Sequence, residues 1–245
     1  MKIYRSLSCA LSTLLLCFTS IASADVVFEE YDFDPSSFNT DLIHFINPVV
    51  PGSSYNITTT QYESQITGKT ARQHFEFNPN SEIPIPIVQP IYINSFTFDP
   101  QTQGSIQGIT ASFKTFGISG PNNGGLYWSR IFVKQDGRLF GSTLSLRQLS
   151  NPNAFHEESN IQESDFFEIL LNDYDLDSHP DFSGSFMEFG VGISLQIHNL
   201  QQNVTTEYNF GIDNAVMRIK TRAVPEPASL SLLALGSLAI LRRKH

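Results

Sequence analysis

The run over residues 186–198 restricts this chain more than any other feature. Met187, Phe189, Val191, Ile193, Leu195 and Ile197 alternate with Glu188, Gly190, Gly192, Ser194, Gln196 and His198. Apolar residues at period two make a strand with one buried face, whereas a helix would scatter them around its circumference. Gly190 and Gly192 share the other face, which marks a bend or a close approach. Between residues 25 and 222 there are 19 Phe and 19 Ile but only 4 Ala and 11 Leu. That balance favours pleated sheet over helix.

Further strands are expected over residues 26–33, 42–47, 55–60, 72–78, 91–98, 109–117, 126–134, 139–146, 165–171, 205–210 and 212–221. Turn signals separate them at Asn78-Pro79-Asn80, Asp99-Pro100, Pro121 to Gly125, Asp136-Gly137 and Asn151-Pro152-Asn153. Gln135-Asp136-Gly137-Arg138, between two apolar runs, reads as a tight hairpin. Residues 81–90 carry Pro84, Pro86 and Pro90 and read as an extended loop or an edge. Residues 165–171 read equally as a strand or a helical turn. Short strands at this spacing imply an all-β fold, a two-sheet antiparallel β-sandwich, as one domain over residues 25–222.

The ends differ in kind. Lys2 and Arg5 precede an apolar stretch from Leu11 to Ile21, and Ala22-Ser23-Ala24 follows. This is the pattern of a secretory signal peptide over residues 1–24, cut after Ala24 to leave Asp25 first. At the other end, residues 223–245 hold Val224-Pro225-Glu226-Pro227, an apolar stretch over residues 228–241, then Arg242-Arg243-Lys244. Those fourteen residues would make roughly 21 Å of helix against a ~30 Å hydrocarbon core. The cations would stay on the cytoplasmic side of such a short transmembrane helix.

The tail resembles the PEP-CTERM sorting signal of Gram-negative bacteria, matching it at Val224, Pro225, Glu226 and Pro227 and at Arg242 and Arg243. The resemblance implies export across the inner membrane, a membrane-anchored intermediate, processing by an exosortase after signal peptidase, and delivery to the cell surface or extracellular matrix. It also implies association with exopolysaccharide and biofilm. The two prolines hold the cleavage segment extended, because each removes a helical hydrogen bond and biases its predecessor away from helix.

Charge and cysteine narrow the chemistry. Without the ends, the 15 basic and 24 acidic residues become 10 and 23, a net charge of −13. Such a domain repels phosphates, so nucleic acid is excluded as a non-specific partner. Both cysteines, Cys9 and Cys17, lie in the leader, which excludes disulfides, thiol catalysis and cysteine metal sites from the domain.

Ile109 to Ser112, Lys134 to Gly137, Pro180 to Ser183, Phe189-Gly190 and Gly211 to Asn214 resemble jelly-roll sandwiches of the carbohydrate-binding-module kind. The resemblance implies that Gly211-Ile212-Asp213-Asn214 starts the last strand. It also implies a structural Ca²⁺ between first and last strands, held by Glu29 or Glu30 and Asp213; the alternative is that Asp213 caps a turn. A second candidate Ca²⁺ site is Asp173, Asp175 and Asp177, with Asp181 as a fourth ligand. Three carboxylates at alternate positions of a loop can converge on a hard cation, but Ser178 and Gly184 stand where an EF-hand needs Gly and Glu. The alternative is a solvated acidic loop.

Tyr127 and Trp128 are candidate sugar-stacking residues beyond the turn at Gly125. Alternation puts them on opposite faces, so one of them packs inward; Tyr31, Tyr55, Tyr62 and Tyr92 are rivals. Motifs for a nucleophile elbow, a zinc protease or a P-loop are absent from the sequence. No catalytic residue is therefore assigned. The reading is a non-enzymatic exported surface or matrix protein that associates with extracellular polysaccharide. Adhesion through protein contacts is the alternative, and a glycan hydrolase or lyase with two facing carboxylates is a third. N-terminal sequencing of the exported protein should begin at Asp25. Ala24→Glu should abolish that cut and leave the leader attached; an unchanged start would show that the cut lies elsewhere.

Overall fold

The structure is a computed structural model. It describes residues 23–39, 44–45, 54–64, 68–78, 85–119, 125–143, 146–148, 154–171, 173–197 and 204–222. The strands are β1 (Ser23–Glu30), β2 (Phe38–Asn39), β3 (His44–Phe45), β4 (Ser54–Ser64), β5 (Gly68–Asn78), β6 (Ile85–Phe98), β7 (Ile106–Ser119) and β8 (Gly125–Gln135). They continue with β9 (Arg138–Ser142), β10 (Leu146–Gln148), β11 (Ala154–Ile161), β12 (Phe166–Ile169), β13 (Tyr174–Asp175), β14 (Met187–Ile197) and β15 (Thr206–Arg222). One helical turn, α1 (Pro100–Gln103), interrupts them, with Asp99 as its N-cap accepting from the Gln101 amide at 3.0 Å.

The strands form two antiparallel sheets. The first runs β11-β7-β15-β5-β4, with β1 also on β15; the second runs β13-β12-β9-β8-β14-β6-β2, with β10 on β8 and β3 on β6. The inner faces meet in one core. Phe75, Phe77, Phe113, Phe210, Ile212 and Met217 come from the first sheet, and Phe96, Phe98, Phe140, Phe189, Ile91 and Ile131 from the second. Phe28 of β1 stacks on Phe96 of β6 with ring centroids 5.4 Å apart, across the gap between sheets. This explains the phenylalanine excess: each fully buried ring is worth roughly 1.5–3 kcal/mol and prefers a staggered or edge contact with its neighbours.

The alternation over residues 186–198 holds in β14, whose Met187, Phe189, Val191 and Ile193 face the core. The strand bends where its glycines sit, because the register with β6 shifts between Glu188 and Gly190. The hairpin is also as expected. Gln135 pairs with Arg138, and Asp136 (φ 52°) and Gly137 (φ 76°) take the left-handed conformations such a turn requires.

The structure refines the expected strand map at four places. Residues 205–221 are not two strands but one, β15, with a bulge between Asp213 and Val216 where its register with β7 shifts. Tyr208, Phe210 and Ile212 face inward before the bulge; Ala215, Met217 and Ile219 do so after it, so the parity switches. Gly211 to Asn214 therefore lie within the last strand rather than at its start. Residues 154–161, outside every expected strand, form β11. Among the described residues it pairs with β7 alone, so its charges can face water. Residues 85–90 are strand despite Pro86 and Pro90: among the described residues, β6 meets only the two-residue strands β2 and β3 on the side away from β14, which fits the expected edge. Residues 165–171 shorten to β12, entered through a 3-10 turn at Glu163–Asp165.

Among the described residues no helix is long and apolar enough to cross a membrane. The leader up to Ala22 and the tail from Ala223 lie outside the described residues. Ser23 and Ala24 pair with Arg222 and Thr221, and Asp25 with Lys220.

Gly211 is fixed by packing: a Cβ there would penetrate the ring of Phe116. Gly211→Ala should destabilise the domain by about 1–3 kcal/mol in urea unfolding, and Phe116→Leu in the same chain should recover part of that. Additive losses in the double variant would break the link between the two residues.

Candidate functional site

The outer face of the second sheet carries the candidate site, and β8 builds it. Ile131 and Val133 of β8 face the core, so Trp128, Arg130, Phe132 and Lys134 share the opposite face. Beneath them Phe132, Leu139, Phe167 and Ile169 make a second apolar cluster, separate from the main core. The cluster needs a small residue on β9: a Cβ at Gly141 would stand 2.9 Å from the Ile169 Cδ1, 3.5 Å from the Phe132 ring and 3.7 Å from the Arg130 Cδ. Tyr174 of β13 covers its margin, edge-on to Phe167 at 5.0 Å.

Arg130 lies across this surface, half-buried. Its Nε donates to the Ser194 hydroxyl at 2.9 Å, its Nη1 donates to the Ser142 carbonyl, and its guanidinium sits 5.1 Å over the Phe167 ring. Burial lowers its pKa from the usual guanidinium value, but an arginine stays charged at any physiological pH. In register with these residues on β14 stand Gly190 opposite Phe132, Gly192 opposite Arg130 and Ser194 opposite Trp128. The two glycines put no side chain on that face. Trp128 is half-buried and lies on the outer face. At the far end Lys134 pairs with Glu188 at 3.8 Å.

The aromatic candidates thus separate. Trp128 belongs to the outer face beside a cation and a hydroxyl, a setting that suits a sugar ring. The side chain of Tyr127 lies outside the described residues. Of the rivals, Tyr31 is 49% exposed and Tyr62 lies under Arg72 at 5.8 Å. Arg130 was missed by the sequence reading. Its signal was present: a cation at an alternating strand position between Trp128 and Phe132.

The candidate metal ligands carry local hydrogen bonds of their own. Asp173, Asp175, Asp177 and Asp181 are exposed. Asp173 accepts from the Tyr174 amide at 2.8 Å, and Asp175 from that of Asp177 at 3.0 Å. Asp181 accepts from the Ser183 hydroxyl and amide at 2.7 and 2.9 Å, which holds its carboxyl below the usual range. Glu30 accepts from the Asp32 and Phe33 amides at 3.2 and 2.7 Å, turning the chain out of β1. Buried Asp213 accepts from the Asn214 amide and side chain at 2.8 and 3.0 Å, and Asn214 has φ 52°. Asp213 thus organises the bulge in β15, the turn-capping alternative. Burial pushes its pKa up, Lys114 draws it down and Asp32 pushes it up again. Among the described residues no three of His, Cys, Asp and Glu come together as a metal site.

At the sheet's rim, Arg138 donates to both oxygens of Glu168 and to Ser178, and Ser178 donates to Glu168 at 2.9 Å. The Arg138 hydrogen bond, aided by Ser178, holds the Glu168 carboxyl below its usual range.

Comparison with known proteins identifies the tail. Residues 223–244 match the PEP-CTERM protein-sorting motif. That motif indicates an exported protein sorted by an exosortase through a membrane-anchored intermediate. A search of curated proteins finds no match. Among solved structures, one from a structural analysis of an exo-beta-agarase aligns with 80% of this chain and 25% of its own length, at 11% identity and a TM-score of 0.35.

The rim pair makes a pH prediction. A carboxyl with a depressed folded pKa contributes its stability fully above the unfolded value, about 4.3, and loses it as pH falls through the folded value. Glu168→Gln should therefore cost roughly 0.2–1 kcal/mol near pH 7 and almost nothing near pH ~2, read by urea unfolding at both. Equal losses at both would show that the ion pair is not the cause.

Proposed function

We propose that this protein is a non-enzymatic module of the cell surface or extracellular matrix, one that holds extracellular polysaccharide on the outer face of its second sheet. The observation that carries the reading is the setting of Trp128: half-buried on the outer face, beside Arg130 and Ser194, with Gly190 and Gly192 leaving the neighbouring strand bare. An indole face stacks on the C–H face of a pyranose, and the cation and hydroxyl supply the directional hydrogen bonds that orient it. The sorting motif supports the reading by delivering the domain to the envelope.

Leu171 and Leu176, 67% and 68% exposed beside β13, favour a second reading in which the domain works through protein contacts. The experiment is retention of the exported chain, in detergent, on polysaccharide from its own organism, with Ca²⁺ and then EDTA. Saturable retention that falls at least several-fold in Trp128→Ala is expected, since one stacked aromatic is worth about 1 kcal/mol or more. Loss in EDTA would assign a supporting Ca²⁺, with Asp213 and the Asp173–Asp181 loop as the first places to mutate. Release of new reducing ends would overturn the non-enzymatic reading, and no retention would favour protein contacts.

A further inference from the structure

We propose that the outer face of the second sheet selects acidic polysaccharide, with Arg130 as the receptor for a sugar carboxylate. This rests on the platform reading above and adds the class of ligand. Four observations carry it. The span 125–148, which makes β8, β9 and β10, holds Arg130, Lys134, Arg138 and Arg147 against a single acid, Asp136, within a domain of net charge −13. Two of those cations are already paired, Lys134 with Glu188 and Arg138 with Glu168. Arg130 has no carboxylate partner among the described residues; its hydrogen bonds go to a hydroxyl and a carbonyl, both neutral. Its Nη2 makes no hydrogen bond to a described residue.

A half-buried charge without a counter-ion is costly, and an incoming carboxylate offsets that cost with charge-assisted hydrogen bonds. The Phe167 ring beneath and the Ser194 hydroxyl beside it fix the guanidinium plane, so its free edge is preorganised for an acceptor. Trp128 lies on the same face of β8, two residues away along the strand. One uronate ring could then stack on the indole while its carboxylate reaches Nη2. Acids farther than ~8 Å from the site are screened at physiological salt.

The test compares alginate, carboxyl-reduced alginate and neutral dextran as immobilised probes for the exported chain in detergent. Wild type should bind alginate about ten-fold or more tighter than either neutral polymer, the worth of one charge-assisted hydrogen bond. This arm needs no variant, so a misfolded mutant cannot obscure it. In Arg130→Gln and Arg130→Lys, alginate should lose its advantage over dextran measured with the same variant; Trp128→Ala should weaken binding to both. Equal binding to all three polymers in wild type, or a preference that survives in a folded Arg130→Gln, would overturn the selection by Arg130 and leave the platform intact. Binding to none of them would overturn the platform and this inference with it.

Discussion

The hydrogen bonding of β15 is the constraint on which the rest depends. This 17-residue strand pairs with β7 along its length, with β5 over its first half and with β1 over its second. It can serve three partners only because it changes parity midway. Without the bulge, Ala215, Met217 and Ile219 would turn from core to solvent, and the second half of the strand would present its polar residues to the phenylalanine layer. Asp213 and Asn214 make that switch affordable in backbone terms. Asn tolerates the left-handed conformation, and the Asp213 carboxylate satisfies the amide the bulge leaves over.

Much of this was legible in the sequence, for a physical reason. Where one face of a strand is buried and the other wet, side-chain period reports geometry directly, as in β14 and the β8–β9 hairpin. It failed where that premise failed. Among the described residues β11 has a single neighbour, so its acids need not alternate with apolar groups, and its Phe155 is 64% exposed. β15 hides its continuity because the bulge breaks the period that would have revealed it. Composition could not choose between the two roles offered for Asp213, because a carboxylate near the last strand reads the same whether it holds a cation or its own neighbour's amide.

The outer surface of the second sheet was harder to read. Trp128 could be placed on one face of its strand, but which face was the core depended on Ile131 and Val133 fitting against a sheet formed from distant segments. Arg130 is also a product of assembly. Ser142 and Ser194, which fix it, lie 12 and 64 residues away in the chain. The result is a cation supported by neutral groups on a strongly acidic domain.

The antiparallel pairing of β1 with β15 sets Ser23 opposite Arg222 and Asp25 opposite Lys220. The sorting motif begins at residue 223, directly after that final rung. A chain threaded through a membrane with its N-terminus leading delivers β15 last, yet β1, β5 and β7 all await it. Until then their edges are open, and the sheet's longest-range contacts, nearly a domain apart in sequence, are unmade. Completion of the fold is thereby tied to completion of export: the strand that closes the domain is also the one that leads into the sorting motif.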